Sequence, residues 1–112
     1  FKCPNIATQK EICNLTGKAA KARGRELDNW KENQILWWQK VPFHRSSRDY
    51  LLLVTRAYDA AYSQDTSFRD DLLLIGHEEI YHSIGNPDMH DTVLTEVEML
   101  YQLNRLRLLA LK

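Results

Sequence analysis

Two pairs of residues in this chain have types and spacings that could act on a small anionic molecule. Asp88 and Asp91 lie in a stretch flanked by Pro and Gly, and catalytic carboxylates often lie in such loops. Their alternative role is to form the turn itself, since Asp side chains accept hydrogen bonds from the following backbone. Lys21 and Arg25 are four residues apart, so on a helix both cations can reach one phosphate group.

The 112-residue chain has a formal net charge of zero, but its charges are unevenly distributed. Residues 1–45 contain nine Lys and Arg against four Asp and Glu, whereas residues 46–112 contain six against eleven. This division is typical of two solvated faces of opposite sign. It also fits a first half that binds phosphate and a second half that supplies carboxylates. The equal numbers of acidic and basic residues exclude a protein that binds a nucleic-acid backbone along its whole length.

The sequence predicts neither a metal site nor a cofactor site. His77 and His82 are five residues apart, whereas the helical zinc-protease motif places its two His four apart. We interpret Cys3 and Cys13 as reduced thiols, because one bridge would not make a disulfide scaffold. No apolar run is long enough to span a bilayer, so we expect a cytoplasmic protein with no membrane partner.

Cap and breaker residues predict a mainly α fold, a compact single helical domain with at most a short strand or two. Thr95 and Glu98 have the capping-box spacing that starts a last helix. Trp37 and Trp38 fall in the third predicted helix, about 100° apart, so one is expected to pack while the other could stack on a planar ligand. The helices are predicted near residues 4–15, 17–24, 29–40, 47–63, 66–75 and 95–110, with a possible extended segment at 79–84 and a turn at 85–88.

Three stretches, taken in order, resemble the NADAR (YbiA-like) domain family. They are Phe1–Ile12, the sequence Ala-Lys-Ala-Arg-Gly-Arg at 20–25, and the segment 60–76 with its Tyr-Ser-Gln-Asp and Leu-Leu-Leu-Ile-Gly runs. The resemblance implies that residues 1–112 form one NADAR-like domain, and that this chain lacks the family's N-terminal segment.

The same resemblance implies an N-glycosidase, a hydrolase without cofactor or metal. Its substrates would be ADP-ribose-like, ADP-ribosylated guanine or riboflavin-precursor phosphoribosyl compounds, so ADP-ribosylated DNA is a possible partner. Asp88 or Asp91 would be the catalytic carboxylate that stabilises the oxocarbenium ion. Lys21 and Arg25 would hold phosphate, and Trp38, with Trp37 as the alternative, would stack on the base. The alternative function is a non-catalytic helical module that binds a nucleotide-like ligand or a protein partner.

Overall fold

The computed structural model describes residues 1–25, 30–81 and 87–112. Within these ranges it contains six helices and one two-stranded sheet, which confirms the predicted mainly α fold. Backbone proximity divides the chain into two compact units, residues 1–50 and 51–112. The elements are α1 Ile6–Cys13, α2 Gly17–Arg25, α3 Trp30–Asn33, β1 Ile35–Trp38, β2 Val41–His44, α4 Arg48–Gln64, α5 Thr66–Ile75 and α6 Glu96–Ala110.

The first unit opens with two short helices whose ends follow from local hydrogen bonding. The Asn5 side chain accepts hydrogen bonds from the backbone amides of Ala7 and Thr8, so α1 begins after Asn5 rather than at Pro4. Arg23 on α2 forms an ion pair with Glu11 on α1 at 3.1 Å. This pair joins the two helices across the loop between them.

The predicted third helix, residues 29–40, is wrong over most of its length. Helix α3 ends at Asn33 because Gln34 adopts a positive φ of 61°, and a strand follows. The run Ile35–Trp38 contains one β-branched residue and two tryptophans, residue types that favour a strand. Gln39 and Lys40 both have positive φ, as a two-residue hairpin turn requires. Pairs such as Asn-Gly normally mark such a turn, and this chain lacks one here.

The hairpin register explains why Pro42 is tolerated inside a strand. Trp38 pairs with Val41, and Trp37 pairs with Pro42. The pair of Trp37 and Pro42 is a non-hydrogen-bonded pair of the ladder, so no hydrogen bond between β1 and β2 needs an amide hydrogen at residue 42. The outer edge of β1 bonds to the N-terminal segment instead. The Trp37 amide donates to the Phe1 carbonyl oxygen at 2.6 Å. The buried Gln9 side chain donates to the Trp37 carbonyl oxygen at 3.2 Å.

Helix α4 begins where the Ser47 hydroxyl accepts the amide hydrogen of Tyr50. In the sequence of this helix, the apolar residues 51, 54, 58 and 61 recur at spacings of three and four, which predicts one apolar stripe. In the structure Leu53 and Val54 are buried in the second unit, while Leu51 is exposed. The buried face therefore shares Val54 with the predicted stripe but runs through Tyr50 and Leu53 instead of Leu51, because a spacing of three or four can be drawn through several apolar residues here.

Helices α5 and α6 start at the residues that the capping pattern indicates. Asp65 accepts from the first-turn amides of α5, and Gly76 ends that helix with a φ of 61°. Thr95 and Glu98 form the reciprocal capping box of α6, as predicted. No helix in the described ranges has both the length and the apolar character needed to cross a membrane.

Several predictions fall outside the described residues. These are residue 29 at the start of the third predicted helix, His82, residues 82–84 of the extended segment, and residues 85–86 of the turn. The remaining residues of that extended segment, 79–81, form neither helix nor strand.

Candidate functional site

The predicted phosphate-binding cations lie on α2 in the first unit. Lys21 and Arg25 are both exposed and, four residues apart, share one side of this helix. Lys18 lies on the same side, three residues before Lys21. Helix α2 contains no Asp or Glu, so this side of the helix is a row of three cations.

The predicted stacking residue lies on a strand rather than on a helix. Trp37 and Trp38 therefore point to opposite faces of the hairpin, instead of lying 100° apart. Trp38 is half-buried, and its ring meets the Phe1 ring edge to face, with the ring centres 5.9 Å apart. Phe1 also packs edge to face against Tyr50. In this geometry the Trp38 ring packs within the first unit.

The predicted catalytic carboxylates lie in a turn of the second unit. The Asp88 side chain accepts a hydrogen bond from the backbone amide of His90 at 2.9 Å and lies 3.1 Å from its ring Nδ1. The Asp91 amide donates to the Asp88 carbonyl oxygen, which closes the turn. The backbone amide of His90, and then its side chain, lower the pKa of Asp88. An exposed carboxylate with a lowered pKa is a weak base, so its surroundings suit a turn better than proton transfer.

The most prominent exposed apolar feature of the described residues is the side of α6 opposite the one that faces α4 and α5 in the second unit. Val97, Tyr101 and Leu108 are 77%, 64% and 62% exposed, respectively. Asn104 and Leu111 complete the row, which spans a sector of about 80° at 100° per residue. We call these five residues the outer face of α6.

The opposite side of α6 is firmly packed within the second unit. Gln102 and Leu106 are buried, and the Gln102 side chain donates to the Thr55 hydroxyl on α4 at 2.8 Å. Arg105 forms an ion pair with Asp59 on α4, also at 2.8 Å. These contacts fix the rotation of α6 about its axis, so the outer face is held outward by the fold.

Sequence reasoning missed the outer face, although a signal for it exists. Nine of the fifteen residues of α6 are apolar, and they occur all around the helix rather than on one stripe. A helix that is apolar on every side usually has both sides covered. Here one side is covered by the second unit and the other is open to solvent.

Charges on α6 are separated along the helix. Glu96 and Glu98 lie in the first turn, and no basic residue occurs between Thr92 and Asn104. Arg105, Arg107 and the following Lys112 lie at the other end, and no acidic residue occurs after Glu98. Each end therefore complements the macrodipole of the helix, and the two ends differ in sign.

Within the described ranges, no three His, Cys, Asp or Glu side chains are grouped closely enough to hold a metal ion. Cys3 is buried and Cys13 is exposed, and both are free thiols.

Comparison with known proteins places nearly the whole chain in one family. The sequence profile described as "Bacteriophage protein GP30.3" matches residues 1–108. A protein of Enterobacteria phage T4 described as "Uncharacterized 17.1 kDa protein in Gp30-rIII intergenic region" is 37% identical over 107 residues. The aligned part is 95% of this chain and 70% of that protein. No solved structure matches this chain.

The resemblance to the NADAR family is therefore wrong. The segments that suggested it are short and consist of residues that helices use for capping and packing, such as Ser-Gln-Asp before α5 and Leu-Leu-Leu-Ile-Gly at its end. Such segments recur in unrelated helical proteins. The N-glycosidase activity and its phosphoribosyl substrates came from that resemblance and lose its support.

Proposed function

We propose that this chain, which belongs to the bacteriophage protein GP30.3 family, is a non-catalytic binding protein that uses the outer face of α6 to bind an apolar helix of a protein partner. One observation carries the proposal. Val97, Tyr101 and Leu108 are largely exposed on the same helix whose other side is buried. An exposed apolar row bordered by charges is typical of a surface that binds another protein.

Covering the outer face with a partner would contribute enough free energy to support a specific contact. Covering a fully exposed Val or Leu side chain contributes about 1.5–3 kcal/mol, so the outer face could contribute several kcal/mol in total. Part of this is offset by the loss of translational and rotational freedom on association. Because the face belongs to a helix, a partner helix with residues at i, i+3, i+4 and i+7 fits its shape.

The surroundings of the predicted carboxylates also favour a non-catalytic protein. Asp88 uses its side chain to form its own turn with His90, and Asp91 closes that turn through its backbone. The Asp88 carboxylate is exposed, and its hydrogen bonds to His90 lower its pKa, which makes it a weaker base.

A photo-crosslinking experiment tests this proposal. Benzoylphenylalanine replaces Tyr101 in one variant, and the 75% exposed Tyr81 in the matched control, in the full chain expressed in bacterial cells. We expect ultraviolet light to produce a discrete protein adduct from position 101 and none from position 81. No adduct at position 101, or equal adducts at both positions, would show that the outer face binds no protein.

A second candidate function rests on the cation row of α2. Lys18, Lys21 and Arg25 present three positive charges without an acidic neighbour on that helix, which favours an anionic ligand such as a nucleotide. If ADP binds there, it should raise the midpoint of thermal unfolding, and Arg25→Ala should remove most of that increase. Lys31→Ala, which removes an exposed cation on α3, is the control and should not change the increase. An increase that survives Arg25→Ala would exclude this row as the ligand site.

A further inference from the structure

We propose that the partner of the outer face is a second copy of this chain, bound with the two α6 helices antiparallel about a two-fold axis. This inference rests on the proposed function and adds the identity and orientation of the partner. Two observations carry it, namely the spacing of the outer-face residues and the separation of charge along α6.

The spacing of the outer face is that of a helix–helix seam. Its residues follow one another at intervals of four, three, four and three. This is the alternation of the two core positions of a heptad repeat, over two heptads. Such a row remains in register with a like row on a second helix, since both rows have the same repeat.

The charges of α6 favour an antiparallel over a parallel pair. In a parallel pair, Glu96 and Glu98 would lie beside their own counterparts, and so would the basic residues at the other end. In an antiparallel pair, Glu98 of one copy lies on the same flank of the seam as Arg105 and Lys112 of the other, so opposite charges meet at both ends. The helix macrodipoles oppose each other favourably in the same arrangement.

The antiparallel arrangement also fixes a register. In an antiparallel pair, each of the two core positions of the heptad faces the other core position on the partner helix. Val97 of one copy then lies beside Leu108 of the second copy, and Tyr101 lies beside Asn104. The one polar residue of the row, Asn104, then lies close to the two-fold axis opposite the Tyr101 hydroxyl-bearing ring. A polar residue in such a seam specifies orientation and register.

The pair should be weak. Helix α6 is about 22 Å long at 1.5 Å per residue, so the seam is smaller than a standard protein interface. We expect a dissociation constant on the order of 10 µM or above. Sedimentation equilibrium of the purified full chain, from about 5 to about 500 µM, should show a monomer–dimer equilibrium. Leu108→Glu should shift it to monomer, whereas Leu74→Glu, at an 86% exposed leucine of α5, should not change it.

A directional disulfide experiment tests the orientation. Val97→Cys and Leu108→Cys are made separately in a Cys13→Ser background, where the remaining Cys3 is buried, and the two proteins carry tags of different size. Mild oxidation of the mixture should link position 97 to position 108. Two copies of position 97 should link at least tenfold more slowly, because they lie about 16 Å apart along the helix axis.

Each other outcome overturns the inference. A monomer at every concentration, or a dimer that Leu108→Glu does not weaken, excludes the second copy as occupant of the outer face. Preferential linkage of position 97 to itself shows a parallel pair instead. If the chain stays monomeric while position 101 crosslinks to a different protein in cells, this inference fails and the proposed function stands. If position 101 crosslinks to nothing, both fail.

Discussion

The Gln9 side chain on α1 donates its amide hydrogens to two backbone oxygens, that of Trp37 on β1 at 3.2 Å and that of Cys3 at 2.7 Å. Gln9 is buried, so both acceptors depend on it for a partner. This one residue ties the N-terminal segment, the first helix and the hairpin together within residues 1–50.

Gln9→Leu should therefore destabilise the first unit by about 1–3 kcal/mol, because it leaves buried carbonyl oxygens without their donor. All three tryptophans lie within residues 1–50, so denaturant unfolding followed by tryptophan fluorescence reports on that unit. The control is Gln64→Leu at the exposed end of α4, which should change the free energy of unfolding by less than about 0.5 kcal/mol. Equal effects of the two substitutions would contradict the role given to Gln9.

The capping box should stabilise the first turn of α6 without affecting the packed turns of that helix. Thr95→Ala removes the hydroxyl that accepts the Glu98 amide hydrogen, at a cost of about 1 kcal/mol. Hydrogen exchange in the first turn of α6 should become faster, while the turns around Leu106 should be less affected. Thr66→Ala, at an exposed first-turn position of α5, is the control. Unchanged exchange in the first turn would mean that the box contributes nothing to the helix end.

The turn at Asp88 makes a prediction about pH. The backbone amide of His90 is the main cause that lowers the pKa of Asp88, and the His90 side chain is the second. A carboxylate whose pKa is lower in the folded than in the unfolded protein stabilises the fold above its unfolded pKa. That stabilisation is lost as pH falls through the folded pKa.

An NMR titration should find the Asp88 carboxylate ionised at lower pH than that of an ordinary aspartate. In His90→Ala most of the lowering should persist, since the backbone amide remains. An ordinary Asp88 pKa in the unsubstituted protein, or complete loss of the lowering in His90→Ala, would refute this account of the turn.

Two neighbouring leucines of α6 should respond very differently to the same change. Leu106→Ala removes a fully buried side chain and should cost about 2–5 kcal/mol. Leu108→Ala removes a largely exposed one and should cost less than about 0.5 kcal/mol in dilute solution. Denaturant unfolding followed by circular dichroism of the helices measures both. A large loss from Leu108→Ala would mean that the outer face stabilises the fold itself.

The parts of this fold that the sequence predicts well are those with local causes. The starts of α4, α5 and α6 follow from Ser47, Asp65 and Thr95, and the end of α5 follows from Gly76, since each of these residues acts within one turn. The hairpin was not predictable in the same way. Its turn uses Gln39 and Lys40, which have no particular preference for positive φ, so tertiary packing of the neighbouring tryptophans decides the structure there.

The candidate site was less predictable than the fold. Lys21 and Arg25 share a helix face, because their spacing alone determines it. The outer face depends on which side of an all-round apolar helix packs inward, and that is set by partners far along the chain, Thr55 and Asp59 on α4. Loop position suggested Asp88 and Asp91, and their alternative role in a turn, from sequence alone, whereas their catalytic chemistry depended on a family assignment. The stacking role of Trp38 assumed a helix, and a strand with a different side-chain direction lies there instead.

The crosslinking yield from position 101 tests the central claim most directly. Benzoylphenylalanine at Tyr101 is combined with Leu108→Glu in one protein and with Leu74→Glu in another, and adducts are measured in the same cells. Because residues 101 and 108 belong to one row of the same helix, we expect Leu108→Glu to reduce the adduct at least tenfold and Leu74→Glu to leave it unchanged. An adduct that persists in the presence of Leu108→Glu would contradict the claim that the outer face of α6 is the binding surface.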